Sequence, residues 1–279
     1  MPELPEVECG RALAERLASG RVIENIKTAA DPFVFEGVSR KRLRAALIGR
    51  TVLAVRRRGK HIWFELDARP WPCFHFGMTG QFRAPNDEPL RYRSSGHKPP
   101  DRAWPPKFTK IRFMFDDARE LAMIDKRRFA RVRVLHDPAN ERPISALGID
   151  PLLDLPASKP FMELMRARRG IIKGLLLEQS VAAGVGNWIA DEVLYQAKID
   201  PRRKVNSLCD DEIKRLRRSL KRIIEKAVAV NARNEKFPKS WLFHRRWGRD
   251  GDATTAHGEP IEHITVAGRT TAWAPTIQK

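Results

Sequence analysis

Three glutamates and two prolines share the opening MPELPEVE of a chain that is otherwise strongly basic. Pro2 is the residue there with chemistry open to it. With Met1 removed it becomes an N-terminal secondary amine. Free α-amino groups titrate near ~7.7–8.0, so a useful fraction is unprotonated at neutral pH. Such an amine attacks an aldehyde-like carbon to give an iminium, an electron sink for bond cleavage. Glu3 and Glu6 stand beside it as proton carriers. The same residues also read as an ordinary helix start, with acidic side chains near the positive end of the helix dipole. On residue types alone both readings stay open.

Four further stretches carry candidate residues. In GVGNWIADEVLYQAKIDP (184–201) the small residues make a tight turn, and Asn187 stands where it could cap the next helix. A helix start of this kind is a ready phosphate site, and equally an ordinary packing turn. In IDKRRFARVRV (124–134) basic residues surround one aromatic, Phe129, with Arg127 beside it. That pattern fits a charged edge strand, or a basic loop that drives an aromatic wedge into a duplex. Met78, in the glycine-flanked turn of FGMTGQF, is a second wedge candidate or a core residue. Lys60, in RRRGKH, occupies a hairpin tip and says little alone.

The elements that would position these residues can be read from periodicity. Pro5 suits the first turn of a helix over 6–19, with Val7, Leu13 and Leu17 near one face and Gly20 ending it. Alternation follows. Val52 and Ala54, then Ile62, Phe64 and Leu66, flank the hairpin tip at 56–61; Phe74, Phe76 and Met78 alternate, as do Ile111, Phe113 and Phe115 before a turn at 116–119, and Val132 and Val134. The stretch 86–107, rich in proline and charge, reads as a surface loop. Beyond a composition shift near 150–160 the chain reads as helical. Ser207 and Asp210 form a capping-box pattern, and Ile213, Leu216, Leu220, Ile223, Ile224 and Ala227 recur at helical steps. HITVAG and GRTTAWAP make a C-terminal hairpin. The expectation is an α+β fold. An N-terminal antiparallel β-sandwich with a leading helix (1–150) is followed by a linker (151–156), a helical domain (157–235) and a hairpin module (236–279).

Composition narrows the partner. The 279 residues include 53 Lys+Arg against 34 Asp+Glu, a formal charge of +19, which points to a polyanion. No apolar run approaches the roughly 18 residues of a spanning helix, and no secretory layout opens the chain. Cys9, Cys73 and Cys209 are far apart, so neither a disulfide framework nor a CxxC site is expected.

Taken together, MPELPEVE, RRRGKH, DKRRF (125–129), GVGNWIADE (184–192) and GRTTAWAP (268–275) resemble, in order and spacing, the formamidopyrimidine-DNA glycosylase (Fpg/Nei) family of base-excision repair enzymes. The resemblance implies a bifunctional glycosylase and AP lyase that needs no cofactor and acts, as a monomer, on double-stranded DNA containing oxidised bases or abasic sites. It implies Pro2 as nucleophile, Glu3 as general acid/base supported by Glu6, and Lys60 reaching the lesion and a phosphate. Met78, Arg127 and Phe129 would fill the gap left by an extruded base. Lys173 and Asn187, in a helix-two-turn-helix, and Arg269, in the hairpin, would hold phosphates. Many members close that hairpin with a four-cysteine zinc site, but no cysteine follows Cys209 here. The expectation is therefore a zincless finger without metal, similar to the plant and fungal branch, whose compartment would be the nucleus; a bacterial chain would work at the nucleoid. The segment 230–241 is short, which puts 8-oxoguanine in doubt as a preferred substrate. Gly174 stands where relatives often carry proline, for which a looser helix start is expected. Two rivals remain: a catalytically silent damage-binding protein of the same fold, and a structural nucleic-acid binder.

Overall fold

The computed structural model describes residues 1–90, 102–247 and 253–279. Residues 91–101, half of the expected loop at 86–107, and residues 248–252 lie outside the described residues. The chain forms two compact units, Met1–Ala146 and Leu147–Lys279. Residues 151–156 lie within the second.

The first unit begins with α1 (Leu4–Ala18) and continues through β1 (Ile23–Thr28), α2 (Arg40–Leu47), β2 (Val52–Arg58), β3 (His61–Leu66), β4 (Trp71–His75), β5 (Gln81–Arg83), β6 (Thr109–Phe115), β7 (Glu120–Ile124) and β8 (Arg131–Leu135). Two four-stranded antiparallel sheets result, ordered β1-β6-β7-β5 and β2-β3-β4-β8. The alternating phenylalanines explain the sandwich. Phe64, Phe74, Phe82 and Phe113 turn inward and meet at ring separations of 5.0–6.1 Å. Edge and tilted contacts of this kind add to the burial of large apolar surfaces.

Helix α1 differs from its expected face. Val7, Gly10, Ala14 and Ala18 are buried, whereas Leu13 and Leu17 are only partly covered. The reason is close approach. A Cβ on Gly10 would sit 2.7 Å from the Phe76 ring, so small residues let the helix lie against the sandwich. This holds the N-terminus close to the core.

The second unit contains α3 (Ser158–Arg166), α4 (Ile172–Leu177), α5 (Asn187–Ala197), α6 (Asp210–Ala229), β9 (Glu262–Val266) and β10 (Arg269–Trp273). The six apolar residues read as a helical stripe on α6 are all buried, against α5 and α3. The cap expected at Ser207 is displaced. Cys209 is the N-cap, and its N–H donates to Glu212 Oε2 at 2.8 Å, because Leu208 is still extended. Strands β9 and β10 close through Ala267 and Gly268, at φ +50° and +69°, the two positive values a type I′ hairpin requires.

The hairpin is packed into the unit without thiolates. Ile261, Ala272 and Ala274 join Tyr195 and Leu242 in one cluster. Gln278 accepts from Ala274 N–H at 2.7 Å and donates to Ile199 O at 2.9 Å. Beside it Trp188, Phe237, Trp241 and Phe243 form an aromatic knot with ring separations of 5.0–6.4 Å. The segment after α6 therefore runs directly into packed structure. His244 and His263 face backbone carbonyls of Phe237 and Arg246, and among the described residues no three His, Cys, Asp or Glu side chains converge as metal ligands would.

Candidate active site and nucleic-acid interface

The N-terminal residues form a buried acidic cluster. Glu3 is the N-cap of α1, and its backbone N–H donates to Glu6 Oε2 at 3.0 Å in a capping box. Pro2, Glu3 and Glu6 are all buried. Burial, with the charge of Glu3 added, pushes the Glu6 carboxyl up to about 7. A carboxyl near 7 can both give and take a proton at working pH.

Lys60 sits on the β2–β3 tip as expected. Arg58 and His61 are the closing pair, and Gly59, at φ +56°, takes the first loop position. A buried chain of contacts aims this tip. Arg57 Nη1 donates to Gly59 O at 3.0 Å while its Nε donates to Glu8 Oε2 at 2.8 Å. Glu8 belongs to α1, so one ion pair ties the lysine hairpin to the helix that begins at Pro2. The rings of His61 and His75 meet at 4.8 Å, tilted by 41°. Burial, then neighbouring cations, lowers them to about 3 and about 4, so they remain neutral near Lys60. Neither Glu8 nor Arg57 was singled out from the sequence, although both lie inside the motifs quoted above.

The three wedge candidates come together on adjacent turns. Met78 is half-buried on a turn after β4, and Phe129 is 46% exposed. The Arg127 guanidinium lies 5.1 Å over the Phe129 ring. Asp125, fully buried, joins the two turns. It accepts from Thr79 Oγ1 at 2.6 Å, Arg127 N–H at 3.1 Å and Ala130 N–H at 2.7 Å. Gly77, at φ +62°, presses on the Phe129 backbone; a Cβ there would stand 2.4 Å from its carbonyl. An Asp opening a basic turn is an Asx-turn signal, and it was available in DKRRF.

In the second unit Asn187 does not cap α5. Gly186 is the N-cap, Asn187 is the first helical residue, and its amide donates to Thr270 O at 2.9 Å. The amide thus ties the helix start to the hairpin, and one of its two hydrogens is used. Arg269, at the head of β10, is exposed. Lys173 is a correction. Its side chain is fully buried, so it cannot meet a backbone phosphate as placed. It lies 2.6 Å from Asp191 Oδ1 and donates to Thr271 Oγ1 at 2.6 Å. Asp191 Oδ2 also accepts from Arg246 at 2.5 Å and from Ala272 N–H at 3.2 Å. This triad locks hairpin to helices. A Cβ on Gly174 would meet the Ala267 Cβ at 3.4 Å, an ordinary contact, so packing does not demand glycine there.

Residues 1–132 match the model of the Formamidopyrimidine-DNA glycosylase N-terminal domain, and residues 147–238 match that of the Formamidopyrimidine-DNA glycosylase H2TH domain. The chain belongs to the formamidopyrimidine-DNA glycosylase family. Its relatives in that family include an Arabidopsis thaliana formamidopyrimidine-DNA glycosylase, 42% identical over 100% of this chain and 71% of the relative. A Listeria monocytogenes formamidopyrimidine-DNA glycosylase is 32% identical with both chains covered in full. The Lactococcus lactis formamidopyrimidine-DNA glycosylase, solved non-covalently bound to DNA containing an AP site, superposes with a TM-score of 0.79 at 28% identity, covering 99% of each chain. The terminal hairpin of this chain is held by the buried contacts of Asp191 with Lys173, Arg246 and Ala272.

Proposed function

We propose that this protein is a bifunctional DNA glycosylase and AP lyase of base-excision repair. The observation that carries the reading is the buried Pro2–Glu3–Glu6 cluster at the head of α1, tied through Glu8 and Arg57 to the hairpin that presents Lys60. A base inside a duplex cannot be reached, so it must be extruded at a cost of a few kcal/mol. Met78, Arg127 and Phe129 fill the vacated space. Asn187 and Arg269 hold phosphates, together with Lys60, and phosphate contacts of this kind fix register without reading sequence.

The chemistry follows from Met1 removal, because a methionine at its nitrogen leaves Pro2 a tertiary amide with no nucleophilic pair. The freed Pro2 nitrogen attacks C1′. Glu3 delivers a proton to the ring oxygen, the base departs carrying the proton that the Pro2 nitrogen gives up, and an iminium links Pro2 to the opened sugar. Loss of a C2′ proton breaks the C3′–O bond, and a second elimination breaks the C5′–O bond. Glu6, with its carboxyl near 7, relays protons to Glu3.

The substrates are oxidised bases. Ring-opened formamidopyrimidines and hydantoins are processed ahead of 8-oxoguanine, because the chain after α6 enters the aromatic knot rather than a long closing loop. Such work places the protein with the cell's DNA, in a nucleus if the source is eukaryotic. Borohydride trapping on a duplex with one abasic site, followed by peptide mapping, tests the reading. The expected cross-link is at Pro2. Tight binding with no cross-link would favour the silent damage-binding protein, and a cross-link at Lys60 would reassign the nucleophile.

A further inference from the structure

Phe33 is among the most exposed large apolar side chains of the described residues, at 62%. It is not on a loose segment. Val34 N–H donates to Asp31 O at 3.1 Å, and Val34 O accepts from Val132 N–H at 2.7 Å, so the backbone on its C-terminal side is pinned to β8. Val34 and Phe35, which follow it, are buried, whereas Phe33 stands out from the turn they anchor.

One face of the Phe33 ring is backed by a fixed cation. The Arg128 guanidinium lies 4.7 Å over it. That guanidinium is held by both oxygens of Asp31, Nε at 3.0 Å and Nη2 at 3.1 Å, and Asp31 is itself buried and paired with Lys110 at 2.8 Å. Arg128 therefore spends two donors on Asp31 and serves as a platform for Phe33. It adopts φ +61°, which turns its side chain away from that of Arg127. Consecutive arginines thus hold two arginine–aromatic pairs, Arg127 with Phe129 and Arg128 with Phe33.

We propose that Phe33 is a second DNA-stacking residue, whose free face takes a nucleobase of the duplex beside the wedge loop. The inference rests on the proposed repair reading, in which Arg127 and Phe129 enter DNA. Three observations favour a nucleobase as the occupant. The chain carries +19, so a polyanion is its natural partner. The exposed ring is continuous with the wedge loop through Arg128. And an aromatic face stacks on any base, which suits an enzyme that must meet damage in every sequence context.

The test measures equilibrium binding to a duplex with a non-cleavable abasic analogue, for the parent, Phe33→Ala, Phe33→Leu and Phe33→Trp. Loss of one base–aromatic stack weakens binding by about tenfold. Phe33→Ala and Phe33→Leu should both show that loss, and Phe33→Trp should bind as the parent does. The salt slope should not move, because no phosphate contact is lost. 2-Aminopurine scanned along both strands should be quenched at one position in the parent and released there in Phe33→Ala. Thermal midpoints should match, since the residue is exposed. Parent-like binding by Phe33→Ala would overturn the assignment, and parent-like binding by Phe33→Leu would reduce it to apolar contact without stacking. Borohydride trapping of the parent at Pro2, run in parallel, separates the two levels. A trap with no Phe33 effect removes Phe33 alone, whereas no trap and no preference for the abasic duplex removes the repair reading and Phe33 with it.

Discussion

At the scale of single residues, Glu6 and Lys173 carry the sharpest consequences. The Glu6 carboxyl is raised from 4.5 to about 7 by burial and by Glu3. The folded state therefore holds a proton that the unfolded chain has released, and this contribution to stability is full below about 4.5 and lost as pH rises through about 7. Glu6→Gln removes it. The variant should gain stability relative to the parent across that window, by on the order of 3 kcal/mol in total, read as the difference in denaturation midpoints against pH. His61 and His75, lowered in the fold, pull the parent's own profile the opposite way, so the difference between variant and parent is the quantity to measure. Lys173 and Arg269 separate structure from binding. Arg269→Ala should weaken binding to all duplexes and lower the log–log salt slope by about one unit. Lys173→Met should leave that slope unchanged while costing about 3–5 kcal/mol of stability, because Asp191 loses a buried partner. A reduced slope in Lys173→Met would restore it as a phosphate ligand.

At the scale of elements, the proposed wedge is two turns joined by one carboxylate. Thr79→Val cuts the 2.6 Å bond to Asp125 and leaves Met78, Arg127 and Phe129 intact. Losing a hydrogen bond to a buried charge costs about 1.5–3 kcal/mol, and excision from duplexes should slow by about tenfold while single strands are little affected. Phe129→Ala should likewise slow duplex excision more than single-strand excision; equal slowing on both would argue against a wedge. The elements themselves were largely legible. Alternating phenylalanines marked the strands, and the stripe from Ile213 to Ala227 marked α6. What periodicity missed were close approaches and capping. Gly10 brings α1 down on Phe76, so Ala14 and Ala18 displace Leu13 and Leu17 from the core. Gly186 takes the cap that Asn187 would have filled, because the Asn187 amide is drawn to Thr270. Of the candidate site, the residues proposed to meet DNA were marked by the sequence motifs. The buried groups behind them were less clearly marked: Asp125 left its trace in DKRRF, but the pairings of Glu8 with Arg57 and of Asp31 with Arg128 join residues far apart in the chain and leave no periodic trace.

At the scale of the whole molecule, the proposed lesion preference and the way the hairpin is held can each be tested. Single-turnover excision should rank formamidopyrimidines and hydantoins above 8-oxoguanine; 8-oxoguanine as the fastest would overturn that ranking. Exhaustive chelation should leave duplex affinity and the thermal midpoint unchanged, because the hairpin is fixed by Asp191, Lys173, Arg246 and the aromatic knot. That fixation has a consequence for when the protein can work. The oxidants that damage guanine also attack zinc-bound thiolates and release the ion. An ammonium and a guanidinium closed on one carboxylate offer such oxidants no sulfur. The hairpin that presents Arg269 should thus keep its shape in peroxide, when the lesions it would serve are most abundant.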